Sequence, residues 1–394
     1  MSTIFTKSVI KPEQMLLLKA ALFSGPEALE NWQLWKEARN LSHFNKTSET
    51  LLPSIFDTLD YESQRLMPLV YRNLEKTNDP LIPGLRGIYR HTWIRNQRFM
   101  LKAQQVIKTL QTAGIDTIAL KGIALSLRYY GDMGVRLMND LDVLVPPDKA
   151  EKAIQLLQEQ PLGFQRSKFD YRYRRILHAM HMWDEEQTDM DLHWNLMVQH
   201  AYADADGPFW AARQPVTLAD GSVTSVLSPT HQLFHNIVHG FGWAGKPAIR
   251  WVADSYAIYA KAKAAIDWHE LLSLAERYRF IIPIQQGLGI LEKDFHLVLP
   301  AEVRQRLNQM QLDTLEKDYF TLLQKKPTNI IGKLVRQVQL PRMEYRSFQL
   351  ERSGIPKNRW MLIRLERFTL TMSRWAFEVA QAKLKESGLV TSRR

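Results

Sequence analysis

Two aspartates separated by one leucine stand at the start of an apolar run, "NDLDVLV", at residues 139–145. Side chains alternate along a β-strand, so Asp140 and Asp142 point to one face, and Leu141 and Val143 to the other. Two carboxylates so close repel each other unless a cation lies between them. An exposed edge strand carries such a pair at little cost, whereas an apolar, buried strand does not. The spacing therefore favours a cation site.

A second run with the same alternation, "TDMDLHW", begins at residue 188. Asp189, Asp191 and His193 share one face of this predicted strand. Carboxylates on adjacent strands form a hard-oxygen site that suits Mg²⁺ or Mn²⁺, and such sites commonly handle phosphates. We therefore predict a magnesium or manganese site made by three carboxylates, with Asp191 as the third.

A lysine followed by a glycine precedes the aspartates, where the strand-like "DTIAL" gives way to the helical "GIALSLRYY". Free backbone N–H groups and the dipole at a helix start attract phosphate, and glycine lets a ligand approach closely. Lys121 and Gly122 are therefore candidates for phosphate binding. The alternative is that Gly122 serves only the turn between strand and helix.

Three histidines recur every four residues, so His231, His235 and His239 share one face of a predicted helix. Such spacing is compatible with zinc, and Asp254 on the next predicted helix would supply a fourth ligand. The alternative is that the histidines are structural or line a pocket behind the sheet. The sequence favours this alternative, because the aspartates form a better metal site and no hydrolase motif surrounds the histidines.

Hydrophobic periodicity defines the elements that must position these residues. Residues 1–113 have a helical pattern, residues 114–200 alternate short strands with helices, residues 201–325 return to a helical pattern, and residues 326–394 form a basic helical tail. Within the second region, four strands and two helices are predicted at "DTIAL", "GIALSLRYY", "NDLDVLV", "PPDKAEKAIQLLQEQ", "ILHAMHMW" and "TDMDLHWNL". The prediction is an α+β fold, in which a small mixed β-sheet module is flanked by N-terminal and C-terminal helical regions.

Composition restricts the class of protein. The chain has 394 residues, 45% of them hydrophobic, which is enough for two or three packed units. It has no cysteine, so disulfides, thiolate metal sites and cysteine nucleophiles are excluded. The start, "MSTIFTKSVIKPEQ", lacks the sustained apolar core of a secretory signal, and no stretch reaches about 18 uncharged apolar residues. We therefore expect a cytoplasmic location.

The net charge of +11 is concentrated near the C-terminus, where residues 331–394 contain 14 Lys and Arg against 5 acidic residues. The tail also interleaves arginines with aromatic residues: Arg364, Arg367, Arg374, Trp360, Phe368 and Trp375. A basic helix with aromatic residues is typical of contact with an anionic membrane surface or a nucleic-acid backbone. The alternative is a solvated helix that packs its aromatic residues onto the body. Peripheral membrane association would accompany the cytoplasmic location.

Four segments together carry a resemblance: "LKG", "YYGDMGVRLMNDLDVLVP", "DLHW" and "RWVADSYAI". They resemble the DNA polymerase β-type nucleotidyltransferase superfamily. More narrowly, they are similar to an uncharacterised bacterial nucleotidyltransferase family that has Lys-Gly where the superfamily has Gly-Ser. The resemblance extends from about Leu120 to Tyr278.

This resemblance implies an enzyme that moves a nucleoside monophosphate from an NTP to an acceptor hydroxyl and releases pyrophosphate. It implies that Asp140 and Asp142 bind two divalent ions, Mg²⁺ or Mn²⁺. Asp191 would bind the ion beside the acceptor and help to deprotonate its hydroxyl. The base of the NTP is open, and so is the acceptor, which is a small molecule, a sugar, a protein or RNA.

The resemblance also implies that Lys121 and Gly122 hold the β- and γ-phosphates of the NTP, and that Arg136 pairs with phosphate. No serine follows Gly122, which departs from the superfamily pattern. Two alternatives follow. One is a catalytically degraded binding protein on the same fold, and the other is a nucleic-acid 3′-end nucleotidyltransferase, which the basic tail would suit.

Overall fold

A seven-stranded mixed sheet lies at the centre of the chain, with strand order β3-β4-β5-β2-β1-β7-β6. Its strands are β1 Ile118–Ala119, β2 Leu141–Leu144, β3 Gln165–Arg166, β4 Ala179–Trp183, β5 Asp189–His193, β6 Gln214–Thr217 and β7 Val223–Val226. The computed structural model describes residues 10–41, 58–167, 177–202, 204–242, 248–324, 330–347, 356–358 and 360–362.

Helices precede, separate and follow the strands along the chain. They are α1 Pro12–Leu22, α2 Gly25–Ala38, α3 Tyr61–Gln64, α4 Met67–Leu74, α5 Ile82–Thr112, α6 Lys121–Leu125, α7 Ala150–Gln158, α8 Gly207–Ala211, α9 Pro229–Gly242, α10 Arg250–Ala262, α11 Trp268–Tyr278, α12 Ile281–Phe295, α13 Ala301–Gln309, α14 Thr314–Gln324 and α15 Ile330–Ser347. A π-helical turn, Ser126–Tyr130, continues α6. The architecture confirms the predicted α+β class.

Local chemistry sets the ends of these helices. At α11, the Asp267 carboxylate caps the first turn by accepting from the Glu270 N–H at 2.9 Å. The helix ends at Arg279, whose φ of +54° is left-handed and closes the last turn. At α1 and α2 a proline occupies the first turn, where its missing N–H costs no helical hydrogen bond.

The register in the middle of the sheet brings the predicted site residues together. β2 and β5 are parallel neighbours, with Asp142 opposite Asp191 and Leu144 opposite His193. β4 runs antiparallel to β5 and places His181 opposite Asp191. Residues opposite each other on adjacent strands point to the same face. Asp142 and Asp191 therefore stand side by side on one face of the sheet.

Buried apolar residues form two clusters. One joins β2, β4 and β5 to the C-terminal half of α5 and to α7, and includes Val106, Val143 and Ile154. The other joins α1, α2 and α4 to helices α9–α13. A direct contact in the second cluster pairs the rings of Phe23 and Phe295, whose centroids are 6.0 Å apart. The first and last helical regions therefore share a core.

The sheet extends past residue 200, which the sequence pattern gave as the end of the strand region. β6 and β7 come from the region predicted to be helical, and β7 is parallel to β1. The Ser225 N–H donates to the Thr117 carbonyl at 3.0 Å, and the hydroxyls of Thr117 and Thr224 lie 2.7 Å apart. Both strands have only four residues, half of them polar, so hydrophobic alternation is too weak to predict them.

Within the described ranges, no helix combines the length and the apolar character that a membrane crossing requires. Most of the basic tail lies outside the described residues, including Arg364, Arg367, Phe368, Arg374 and Trp375. Trp360 is described, and its side chain is buried in the cluster between the sheet and α5. At least one of the tail's aromatic residues therefore packs onto the body.

Candidate metal centre

One buried side chain of α5 fixes the loop that leads into β2. The Asn96 Nδ2 donates to the carbonyls of Met133 at 2.5 Å and Arg136 at 2.7 Å. Its Oδ1 accepts from the Met138 N–H at 3.0 Å. Asn96 is fully buried, and an amide that uses both its hydrogens and its oxygen has its polar groups satisfied. The loop therefore delivers Arg136 and Asp140 to defined positions.

Asp142 is the most enclosed carboxylate of the site, with 1% of its surface exposed. Its Oδ1 accepts from Lys121 Nζ at 2.5 Å and from His193 Nε2 at 3.0 Å. Burial alone would raise the pKa of Asp142, but the Lys121 ammonium and the hydrogen bond from His193 outweigh burial and hold it well below its usual range. Asp142 is therefore a permanent anion in the centre of the sheet.

The second oxygen of Asp142 is in a different situation. Asp142 Oδ2 is buried and has no hydrogen-bond partner among the described residues. A buried carboxylate oxygen without a partner is costly unless a cation meets it. This oxygen is therefore an atom of the site that could meet a cation.

Lys121 lies at the first position of α6 with a left-handed φ of +41°. Burial would lower the pKa of its ammonium, but Asp142 and then Asp140 outweigh that effect and raise it. The side chain therefore carries a full positive charge and neutralises the carboxylates in this structure. The sequence predicted that it faces phosphate, whereas here it contacts Asp142.

Packing gives a further reason for glycine at position 122, besides the phosphate approach and the turn that the sequence suggests. A Cβ at this position would lie 2.8 Å from the Met138 Cγ and 3.2 Å from the Arg136 Nη1. The first distance is shorter than real Cβ contacts allow, so any larger residue would displace Met138. The glycine therefore lets the start of α6 pack closely against the loop before β2.

Asp140 lies one residue before β2 and is partly buried. Burial and the negative charge of Asp142 raise the pKa of Asp140, while Lys121 opposes that shift. Asp140 and Asp142 therefore repel each other in the absence of a cation, as their spacing in the sequence indicates.

On β5, Asp191 is the third carboxylate, and its side chain is 31% exposed. Its Oδ1 lies 3.3 Å from the Nδ1 of His181 on the neighbouring strand. A hydrogen bond with Asp191 and the charges of Asp191 and Asp189 raise the pKa of His181. Asp189, two residues earlier, is 52% exposed at the end of the strand. Asp191 is thus the carboxylate of β5 that faces the site.

The structure adds His193 to the carboxylates. One atom each from Asp142, Asp191 and His193 lie within 4.8 Å of one another, which is a spacing that a metal ion can span. Asp140 is not a member of that group. The sequence places His193 on the same face as Asp191, but its proximity to Asp142 depends on the register of β2 and β5. This donor set of two carboxylates and one imidazole fits a divalent cation.

Arg136 is buried and fully engaged with a carboxylate. Its Nε and Nη2 donate to the two oxygens of Asp254 at 2.8 and 2.9 Å. The Tyr130 hydroxyl donates to the same Asp254 Oδ1 at 2.9 Å. Arg250 lies close by, and burial together with the charges of Arg136 and Arg65 lowers its pKa to about 9. Arg136 therefore ties α10 to the loop before β2, and its free Nη1 is the atom beside Gly122.

The same contacts count against zinc on α9. Asp254, the suggested fourth ligand, uses both oxygens for Arg136, so it is not directed at the histidines. His231 is buried against the ring of Phe209, and its Nε2 is 3.5 Å from Glu270. In the described part of the chain, the group with metal-ligand spacing is the one around Asp142.

His235 belongs to the surroundings of the carboxylate site. It is buried, and its ring lies 5.8 Å from that of His239, which is exposed. Burial lowers the pKa of His235 to about 3, and the positive charge of the Lys121 ammonium lowers it further. His235 is therefore neutral at physiological pH and adds no charge beside the site. This agrees with the pocket-lining alternative for the α9 histidines.

Comparisons with known proteins give a family for this arrangement. No curated protein matches the sequence. Among solved structures, one match is an antigenic nucleotidyltransferase-like protein from Paracoccidioides brasiliensis, with 16% identity and a TM-score of 0.32. That match covers 58% of this chain and 94% of the other. The sequence pattern of a family described as uncharacterised nucleotidyltransferases matches residues 61–315, which is more than half of the chain. The chain therefore belongs to this nucleotidyltransferase family.

Proposed function

We propose that this protein transfers a nucleoside monophosphate from an NTP to an acceptor hydroxyl, releasing pyrophosphate, with Mg²⁺ or Mn²⁺ bound at Asp140, Asp142 and Asp191. One observation carries the proposal: Asp142 and Asp191 stand side by side on adjacent parallel strands, and a buried oxygen of Asp142 has no partner in the part of the chain that the structure describes. Divalent ions at these carboxylates would neutralise charge on the triphosphate and on the acceptor oxygen.

The carboxylates would divide the work by their positions. Asp142 on β2 and Asp140, two residues before it, would hold the nucleotide-bound ion and its neighbour. Asp191 is the more exposed, so it would face the acceptor and assist the loss of its hydroxyl proton. Most of the rate enhancement would come from positioning and charge neutralisation, because phosphoryl transfer demands little covalent chemistry from the protein.

Lys121, Gly122 and Arg136 would meet the phosphates. The Lys121 ammonium neutralises Asp142 in this structure, and a cation at Asp142 would replace that ammonium and leave it available for the β- and γ-phosphates. Arg136 remains bound to Asp254, so it would act through the positive charge of its Nη1 beside Gly122 rather than by leaving its carboxylate.

A degraded, noncatalytic binding protein is the main alternative. Two observations favour it: no serine follows Gly122, and Lys121 pairs with the carboxylate that should bind metal. The basic tail favours a second alternative, a nucleic-acid 3′-end transferase. It is also compatible with a cytoplasmic enzyme that contacts an anionic membrane surface.

Binding and transfer separate these possibilities. Isothermal titration with each NTP, with and without Mg²⁺ or Mn²⁺, should give metal-dependent heat for at least one NTP. Incubation with NTPs labelled at the α-phosphate and with fractionated cell extract should label the fraction that contains the acceptor. Asp142→Asn should abolish both signals, and Asp189→Asn, an exposed neighbour, should preserve them. Metal-dependent binding without labelling would favour the degraded protein, and labelled RNA would favour the 3′-end transferase.

A further inference from the structure

The donor atoms around Asp142 include a nitrogen. Two carboxylates and one imidazole come from β2 and β5, with His193 as the last residue of β5, and their ligand atoms lie within 4.8 Å of one another. Carboxylate and water ligands suit Mg²⁺, which is a hard cation with a strong preference for oxygen. Imidazole suits the divalent first-row transition ions much better than it suits Mg²⁺. The residue at position 193 therefore bears directly on which ion binds.

His193 is held rigidly in this place. It is 3% exposed, and its carbonyl accepts from the Val145 N–H at 2.9 Å, which continues the parallel ladder between the strands. Its Nε2 contacts the Asp142 Oδ1 at 3.0 Å, and its Nδ1 is buried without a hydrogen-bond partner among the described residues. Among the described residues, the ring therefore makes one hydrogen bond, and its partner is the Asp142 carboxylate, which would itself bind the ion.

A second observation points to a cation at the carboxylate that this ring contacts. Among the described residues, Asp142 Oδ2 has no hydrogen-bond partner, although the side chain is fully enclosed and ionised. The atoms around it already supply one ammonium and one imidazole, and both of them contact the other oxygen. A metal ion bridging Asp142, Asp191 and His193 would satisfy the unpartnered oxygen and exchange the imidazole hydrogen bond for a stronger bond.

We propose that His193 is itself a metal ligand and that the centre is selective for Mn²⁺ over Mg²⁺. This inference rests on the proposed function, since it concerns the same carboxylates. It differs from the all-carboxylate site that the sequence predicts, because one of the three protein ligands is a nitrogen. The protein should bind Mn²⁺ at least roughly tenfold more tightly than Mg²⁺.

Electron paramagnetic resonance of Mn²⁺ tests the ligand directly, without any substrate. Free Mn²⁺ is counted in a titration of the full-length protein, and Mg²⁺ is then added as a competitor to obtain the ratio of the two dissociation constants. Pulsed measurements on the bound ion should detect hyperfine coupling to one imidazole nitrogen. His193→Gln keeps an N–H for Asp142 but removes the imidazole, so it should lower the ratio severalfold and abolish the nitrogen coupling.

His181→Gln is the matched control, because His181 contacts Asp191 but is not one of the three residues in the group. It should leave the Mn²⁺/Mg²⁺ ratio unchanged and retain the nitrogen coupling. If Mn²⁺ binds and depends on Asp142, but without nitrogen coupling or with an unaltered ratio in His193→Gln, the role of His193 is overturned and the carboxylate site stands. If neither ion binds the wild-type protein, the metal site of the proposed function is wrong as well.

Discussion

At the scale of single residues, the two aspartates that are alike in the sequence are unlike in the fold. Asp142 is fully enclosed and shares one oxygen between Lys121 and His193, which keeps its pKa low. Asp140 has no such pair, and burial and repulsion raise its pKa. Sequence spacing identifies the pair of aspartates. It cannot show which of the two negative charges is neutralised, because the neutralising lysine belongs to a different element.

Neutral substitutions at these two positions should therefore change stability in different ways. Asp142→Asn leaves the Lys121 ammonium without its carboxylate, so the free energy of unfolding should fall by on the order of 3 kcal/mol. Asp140→Asn removes a repelling charge and should leave the free energy of unfolding unchanged or slightly higher. Urea denaturation of both variants in the presence of a chelator measures the difference. Equal losses of unfolding free energy in the two variants would mean that the buried Lys121 ammonium does not need the Asp142 carboxylate as its partner.

The two carboxylates of β5 should differ in their effect on catalysis. Asp191→Ala should retain much of the binding of NTP with metal, since Asp140 and Asp142 remain, but it should lower the transfer rate by on the order of 10² or more. Asp189→Ala should have little effect, because Asp189 is exposed at the strand end. Titration heat and labelling rate are measured on both variants. A larger loss for Asp189→Ala would show that the wrong carboxylate has been chosen.

At the scale of elements, the predicted strands were found where apolar residues alternate and were missed where they do not. β2, β4 and β5 match the predicted runs, with several enclosed apolar residues each. β6 and β7, "QPVT" and "VTSV", are short and half polar, and they are held in the sheet by the backbone pairing of β7 with β1 and of β6 with β7. The pairing of Arg136 with Asp254 joins residues 118 positions apart, so no local pattern predicts it.

The geometry of the loop before β2 depends on the hydrogen bonds that Asn96 of α5 makes to it. Asn96→Ala would leave two carbonyls and one N–H of the loop without partners in a buried place, so the free energy of unfolding should fall by about 2–4 kcal/mol. Mn²⁺ affinity should fall too, because Asp140 follows that loop. Asn31→Ala is the control, since Asn31 donates to the Glu27 carbonyl in an exposed hydrogen bond on the surface of α2. An unchanged stability of Asn96→Ala would mean that water replaces the amide.

At the scale of the whole molecule, a buried carboxyl outside the proposed metal centre should make stability depend on pH. Burial raises the pKa of Asp206 to about 7, although it accepts from the Leu196 N–H at 2.9 Å and from Asn195. The folded protein thus holds this proton more tightly than the unfolded chain, whose aspartates titrate near 4. The associated stability is complete below pH 4 and is lost as pH rises to about 7.

Asp206→Asn keeps an acceptor for Leu196 but does not titrate. The melting temperature of the wild type, minus that of the variant, should therefore fall as pH rises from 4 to 8. The corresponding change in unfolding free energy is on the order of 3 kcal/mol. Other titrating groups are common to both proteins and cancel in the difference. A difference that stays constant with pH would show that Asp206 is ionised in the folded protein.

The core shared by the first and last helical regions has a consequence for synthesis. Phe23 packs against Phe295, and the apolar faces of α1, α2 and α4 are covered by helices that begin at residue 229. A ribosome adding about 5–20 residues per second needs roughly 10–40 s to make the intervening 200 residues. During that interval the nascent N-terminal helices pack on one another, but the apolar surface that α9–α13 cover stays open, so they depend on chaperones or on late folding. Fragments that end just before α9 should therefore aggregate even though they contain all seven strands and every carboxylate of the site.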